Sequence, residues 1–240
     1  MLRYYFVIIV SFPLIIYYIV KARYLFRHPD KYDEYYCYRV ARNMVKTVMR
    51  NARIKTIYRG IENLPTEGGY ILYPNHQGKY DALGIINALD EPCSIVIDKN
   101  TAKGALTNEF TGLLNGIRLD KEDINQQLYS IKYMSEEVKK GRRYILFAEG
   151  GYTDNRNTLQ LFMPGAFKAA LWAKCPIVPV ALIDSYKPFS VSSLKKVTTK
   201  VHFLEPIEYE DYKELNTRQI ATLVREKIED DIAKALSGGK

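Results

Sequence analysis

Cysteine and histidine are scarce in this chain, with three of each in 240 residues. Cys37, Cys93 and Cys175 are odd in number and far apart, which excludes a disulfide framework and any C-x-x-C zinc or redox motif and points to a reducing compartment. His76 has no second histidine three or four positions away, so a helical metal site is not available to it. No serine sits in G-x-S-x-G, and neither Cys93 nor Cys175 lies in a nucleophile signature. The G-x-x-x-x-G-K-[ST] phosphate loop and the G-x-G-x-x-G turn are missing as well. Low-complexity runs and internal repeats are also absent. With 47% apolar and 12% aromatic residues the chain has the material for a buried core, and its length suits one globular domain plus an additional segment.

Charge is lacking altogether from Tyr4 to Val20, YYFVIIVSFPLIIYYIV, seventeen residues that as a helix reach roughly 26 Å against about 30 Å of bilayer hydrocarbon. The segment reads as a membrane anchor of marginal spanning length. A cleaved signal peptide, a buried core helix and a hairpin bent at Pro13 are the other readings. Nine of the twenty tyrosines fall in the first 38 residues, including pairs at both ends of the segment, where amphipathic rings suit the headgroup layer. Residues 21–60 then hold eleven lysines and arginines against three acids, whereas from residue 61 onward 23 basic and 24 acidic residues nearly cancel. By the positive-inside rule the body lies in the cytoplasm, on the inner leaflet. Between Tyr36 and Arg53 apolar residues recur at three- and four-residue steps, with Arg39, Arg42, Lys46, Arg50 and Arg53 on another face, a basic amphipathic helix that either meets an anionic surface or packs on the body.

From Ile54 on, short apolar β-type runs alternate with helical patterns. Strands are expected near 55–58, 70–73, 94–97, 117–119, 144–147, 177–182 and 200–203, and helices near 82–89, 124–140, 166–174 and 217–236. The alternation predicts an α/β domain in residues 54–240 with a central, largely internal β-sheet surrounded by helices, preceded by a membrane-anchoring helical segment in residues 1–53.

Of the three histidines, His28 lies in the charged arm and His202 inside an apparent strand, where a strand-face role is the plainer one. His76 directly follows the strand-like YILYP, in PNHQGKYDALG, with Asp81 five residues later at an apparent helix start. Five residues do not place two side chains on one helix face, so the pair meets only if the chain turns between them, a turn that Gly78 helps. Asp81 would then fix the imidazole tautomer and leave the other nitrogen as a general base; alternatively it is a helix N-cap and His76 a loop residue. A second cluster, FAEGGYTDN, puts Glu149, Gly150 and Gly151 at another strand's C-terminal end, the edge where α/β sheets bind ligands, or simply makes a turn there. A third, NGIRLDKED, places Arg118 and Lys121 where they hold a phosphate or pair with Asp120, Glu122 and Asp123.

In combination these blocks resemble a known family, the 1-acylglycerol-3-phosphate acyltransferases. PNHQGKYD is similar to the family's N-H-x-x-x-x-D block, and NGIRLDK, FAEGG and CPIVPVAL resemble its second, third and fourth blocks in the same order, over roughly residues 54–205. The resemblance implies a glycerolipid-acyltransferase fold and transfer of a fatty acyl group from a thioester, on acyl-carrier protein or coenzyme A, to the free hydroxyl of a lysophospholipid. Phosphatidic acid is the commonest product. It implies His76 as the base and Asp81 as its orienter, with Glu149, Gly150 and Tyr152 forming the acceptor site and Lys99, Arg118 and Lys121 holding its phosphate. No metal and no cofactor is called for. The partners are the bilayer, the lysophospholipid and the acyl donor, not nucleic acid. Two blocks depart from the pattern: Lys121 replaces an arginine, and Ala148, Gly151 and Tyr152 replace proline, threonine and arginine, so that either Arg118 or Lys99 compensates for the lost arginine or the acceptor headgroup is not a bare glycerol phosphate. The alternatives are an acyltransferase for another lysophospholipid, a membrane-bound thioesterase or lipid hydrolase using the same His-Asp pair, and a membrane-tethered binding module.

Overall fold

The computed structural model describes residues 2–238. Its helices are α1 (Leu2–Phe26), α2 (Glu34–Asn51), α3 (Asp81–Ala88), α4 (Ala105–Leu113), α5 (Ile124–Lys139), α6 (Lys168–Ala173), α7 (Lys187–Ser190), α8 (Tyr209–Tyr212) and α9 (Thr217–Ser237). Its strands are β1 (Ile54–Arg59), β2 (Ile71–Pro74), β3 (Ser94–Asp98), β4 (Ile117–Leu119), β5 (Tyr144–Ile145), β6 (Ile177–Ile183) and β7 (Val197–Phe203). These join in one sheet in the order β1-β7-β6-β2-β5-β3-β4. All pairs are parallel except β6 with β7, so β2 to β6 deliver their C-terminal ends to one edge.

The expected α/β class holds, and the alternation of side chains along the strands explains the layers. Val178, Val180 and Leu182 of β6 and Leu72 of β2 face a core shared with α1, α2, α3 and α4, while Ile177, Ala181, Ile183, Ile71 and Tyr73 face a second core built by α5, α6, α8 and α9. Strands covered on both faces read as unbroken apolar runs, as ILYP and IVPVALI do. Asn216 caps α9 reciprocally with Gln219, fixing where the long closing helix begins. The 124–140 and 217–236 expectations match α5 and α9 closely, whereas the nine-residue α4, whose Leu106, Phe110 and Leu113 face the core, was not expected from the sequence.

Pro13 lies inside α1, which is continuous, so the hairpin reading fails. One face of α1 packs on the body. Arg3 at its start is buried and donates to the carbonyls of Lys187, Pro188 and Lys195, Phe26 at its end lies against Gly112 of α4 so closely that a Cβ there would sit 2.5 Å from the ring, and Arg23 pairs with Glu109 at 2.8 Å. A helix tied to the body at both ends lies along it rather than projecting from it. Its other face leaves Ile9, Val10, Phe12 and Val20 exposed. The apolar stripe of α2 (Tyr38, Val40, Ala41, Met44, Val45) is buried in the core with the sheet, and Arg42 is drawn to Asp90 and the Asn87 carbonyl, so of the two readings of this helix its packing on the body is realised.

Candidate active site

The chain leaves β2 through Asn75, His76, Gln77 and Gly78 before α3 starts at Asp81. Asn75 is buried and fixes that exit, accepting the Leu182 N–H at 2.7 Å and donating to the Leu182 carbonyl at 3.1 Å, which replaces a rung of the ladder to β6. His76 Nδ1 lies 2.7 Å from Oδ2 of Asp81. The same oxygen accepts the backbone N–H groups of Gln77 at 2.5 Å and Gly78 at 2.9 Å. The fully buried carboxylate is therefore the hub around which the turn closes, and this is how a five-residue step brings the pair together. A carboxylate cannot donate, so Nδ1 carries the proton and Nε2 is left as the acceptor. Gly78 is not in the left-handed region, and a Cβ there would meet only the Tyr186 Cα at 3.6 Å, so the turn owes its shape to Asp81 and not, as expected, to glycine.

The imidazole is held on its faces as well. Phe147 stacks on it at 4.2 Å between centroids and Tyr152 stands edge-on at 4.7 Å. Burial raises the Tyr152 phenol above its ordinary value, with the Asp81 charge adding to this, so its hydroxyl stays neutral.

Glu149 follows β5, next to β2 in the sheet, and is almost fully buried. Its Oε1 accepts the backbone N–H of His76 at 3.0 Å and its Oε2 accepts Gln160 Nε2 at 2.9 Å. Desolvation raises its carboxyl pKa, opposed by those hydrogen bonds. Glu149 thus shapes the site by holding the main chain of His76. Gly150 beside it has φ +70°, and an added Cβ would lie 2.5 Å from Met163 Cε. Gly150→Ala is expected to cost about 1–2 kcal/mol from the left-handed backbone alone, checked as a shift in the urea midpoint; an unchanged midpoint refutes the strain argument.

Because neighbouring strands are about 4.8 Å apart, the ends of β3 and β4 lie roughly 10 and 14 Å from that of β2 along the same edge. There Lys99 pairs with Asp120 at 2.6 Å and Lys121 with Asp98 at 3.8 Å, while Arg118 donates to Asn108 on α4. The structure brings His76, Asp81, Glu149, Gly150 and Tyr152 into one cluster and sets these three cations along its flank, with Lys103 a further one nearby. Residues the sequence reading passed over are Gln77, Asn155, Asn157 and Gln160. Gln77 is buried, donates to Asn157 and to the Leu182 carbonyl, and accepts the Ser185 N–H. Polar side chains directly after an apolar strand, as in PNHQ, were the available signal.

His202 on β7 is a buried strand-face residue, as expected, and its Nδ1 lies 2.7 Å from Asp231 of α9, a partner that sequence separation hides. Burial raises the thiol pKa values of Cys93 and Cys175, the latter to about 12, so neither offers a thiolate. The site can accept a proton at Nε2 and return it, with no serine or cysteine nucleophile hydrogen-bonded to the imidazole among the described residues.

A family model described as Acyltransferase matches residues 55–183. The 1-acyl-sn-glycerol-3-phosphate acyltransferase of Salmonella typhimurium is 27% identical over 168 residues, covering 70% of this chain and 68% of that protein. The Escherichia coli protein of the same name has the same identity and coverage. The sheep 1-acyl-sn-glycerol-3-phosphate acyltransferase alpha is 27% identical over 179 residues, 72% of this chain and 61% of the relative. In fold, the chain is similar to the crystal structure of the 1-acyl-sn-glycerophosphate (LPA) acyltransferase from Thermotoga maritima, with a TM-score of 0.77, 18% identity and coverage of 98% and 94% of the two chains.

Proposed function

The chain belongs to the acyltransferase family, and we propose that it moves a fatty acyl chain from an acyl thioester to the free sn-2 hydroxyl of 1-acylglycerol-3-phosphate, giving phosphatidic acid. The observation that carries this reading is the His76–Asp81 pair at 2.7 Å, with Nε2 left open. In the reaction Nε2 takes the hydroxyl proton as the oxygen attacks the thioester carbonyl. The carbonyl oxygen gains the negative charge of a tetrahedral intermediate, and the imidazolium formed is stabilised by the buried Asp81 carboxylate. Collapse of the intermediate re-forms the carbonyl and breaks the C–S bond, and the proton returns from Nε2 to the leaving thiol. The base therefore acts on the acceptor and the reaction needs no covalent acyl-enzyme and no cofactor. The donor is a thioester of acyl-carrier protein or coenzyme A.

The test is acyl transfer from a long-chain acyl thioester to lysophosphatidic acid in detergent, following thiol release and lipid product together. Formation of phosphatidic acid by the wild type is expected. Thiol release without lipid product overturns the reading in favour of a hydrolase.

Acceptor and product are amphiphiles, and α1 supports delivery from the bilayer. It is long and apolar enough to cross a membrane, but anchored at both ends to the body it enters the bilayer sideways, from the cytoplasmic leaflet that the basic residues of 21–60 favour. Changing exposed Ile9 and Phe12 together to Glu is expected to weaken binding to vesicles containing anionic phospholipid at least tenfold, since each apolar side chain contributes about 1.5–3 kcal/mol on burial. Activity on soluble short-chain substrates should persist. Unaltered vesicle binding in a sedimentation assay removes α1 from the interface.

A further inference from the structure

The loop after Glu149 holds an arginine in an unfavourable backbone conformation beside the catalytic turn. Arg156 has φ +50°, in the left-handed region that costs a non-glycine residue roughly 1–2 kcal/mol and persists only where the surroundings over-determine it. Those surroundings are its two neighbours. Asn155 Nδ2 donates to the carbonyls of His76 at 3.1 Å and Thr158 at 2.8 Å. Asn157 Oδ1 accepts from Gln77 Nε2 at 3.0 Å and from the Asp184 N–H at 2.9 Å, and its Nδ2 donates to Asp184 at 3.0 Å. Both asparagines thus pin the loop onto the His76 turn, and the residue between them is turned outward.

The Arg156 guanidinium stands over the Tyr186 ring at 6.0 Å. Among the described residues its ion-pair partner is Asp154 at 3.6 Å, with both side chains mostly exposed, a pairing of little worth that a phosphate readily displaces. Lys79 follows Gly78, where a Cβ would lie 3.6 Å from the Tyr186 Cα, and stands over the Tyr4 ring at 4.5 Å, with no carboxylate in ion-pair range among the described residues. The neutral Tyr152 hydroxyl supplies no charge there. On the other flank, roughly 10–14 Å along the edge by strand spacing, Lys99 pairs with Asp120 at 2.6 Å, Lys121 lies 3.8 Å from Asp98, and Arg118 donates to Asn108.

We propose that Arg156 binds the acceptor's phosphate and so sets the headgroup preference, with Lys79 as a second cation. The inference rests on the lysophosphatidic acid reading above. In that acceptor the phosphate is a few bonds from the reacting hydroxyl, which favours a ligand on a loop fastened to the His76 turn, and the loop of Arg156 is fastened there through the His76 carbonyl itself. A guanidinium also grips phosphate in a bidentate fork that lysine cannot form.

The experiment compares Arg156→Ala, Arg156→Lys and Arg156→Gly in the full chain, measuring KM for lysophosphatidic acid and for the acyl thioester. Arg156→Ala is expected to raise the acceptor KM about tenfold or more and leave the donor KM within twofold, with Arg156→Lys in between. Arg156→Gly relieves the left-handed strain, so it should melt no lower than the wild type while showing the same loss, which separates phosphate binding from loop stability. An unchanged acceptor KM in Arg156→Ala and Arg156→Gly, or an equal rise for the donor, overturns the assignment alone. Failure of the wild type to acylate lysophosphatidic acid overturns the functional reading and this assignment with it.

Discussion

His76→Ala is expected to lower kcat for acyl transfer at least a hundredfold, and up to the ten-thousandfold range of a lost general base. The reason is local scarcity. Glu149, the other titratable carboxylate beside the turn, is buried and has both oxygens engaged by His76 N–H and Gln160, and the raised thiol pKa values of Cys93 and Cys175 remove the cysteines as substitutes. The fold should survive, because Asp81 keeps its two backbone donors from Gln77 and Gly78 when the imidazole is gone. Circular dichroism and the melting midpoint of the variant should therefore stay near those of the wild type while both thiol release and lipid product fall. Turnover within threefold of the wild type in a folded variant would remove His76 from the chemistry.

Asp81→Asn is expected to cut kcat by about two to four orders of magnitude and also to destabilise the fold. Asp81 Oδ2 gathers three donors, and a neutral amide oxygen in its place no longer stabilises the imidazolium that forms as the proton is taken. The other oxygen, Oδ1, is buried with no hydrogen-bond partner, so the amide nitrogen of Asn would occupy a position without an acceptor. An unsatisfied buried donor costs about 1–3 kcal/mol. The alternative rotamer presents that nitrogen to His76 and forces the wrong tautomer. Rate and stability should fall together in this variant, in contrast to His76→Ala, and chemical denaturation alongside kinetics separates the two. A stable Asp81→Asn enzyme with near-normal kcat would reduce Asp81 to a helix-start residue.

The legible parts of the fold were those in which local pattern and tertiary role coincide. Strands such as 71–74 and 177–183 are buried on both faces, so their apolar runs announce them, and α5 and α9 carry long amphipathic stripes. β5 is shorter than its apolar run because pairing with β2 ends once the Leu146 N–H has reached the Leu72 carbonyl and Phe147 turns to stack on His76, and β7 is longer because Thr198 and Thr199 pair with β1 despite their polar side chains. His76 and Asp81 were visible as a histidine after a strand and an acid at a helix start. Their meeting was not, because it depends on Gln77 and Gly78 turning their N–H groups onto one carboxylate oxygen. Glu149 was visible as an acid at a strand end, but its engagement with the His76 backbone follows from β5 lying beside β2, an adjacency between strands far apart in the chain.

Taken by itself, the sequence determined the class of the domain, the apolar and basic character of its N-terminal arm, and the candidate pair His76 and Asp81, since each rests on composition or on a pattern within a few residues. Tertiary structure alone decided the rest. Whether the apolar arm projects or lies along the body depends on Arg3 and Arg23 finding partners more than eighty residues away. Which partners Lys99 and Lys121 meet depends on Asp120 and Asp98, and the fastening of the Arg156 loop to the His76 turn depends on Asn155 and Asn157. Hydrogen bonds and ion pairs of this kind are short-ranged, so they form only where the packed layers bring the groups within reach, and packing is a property of the whole chain.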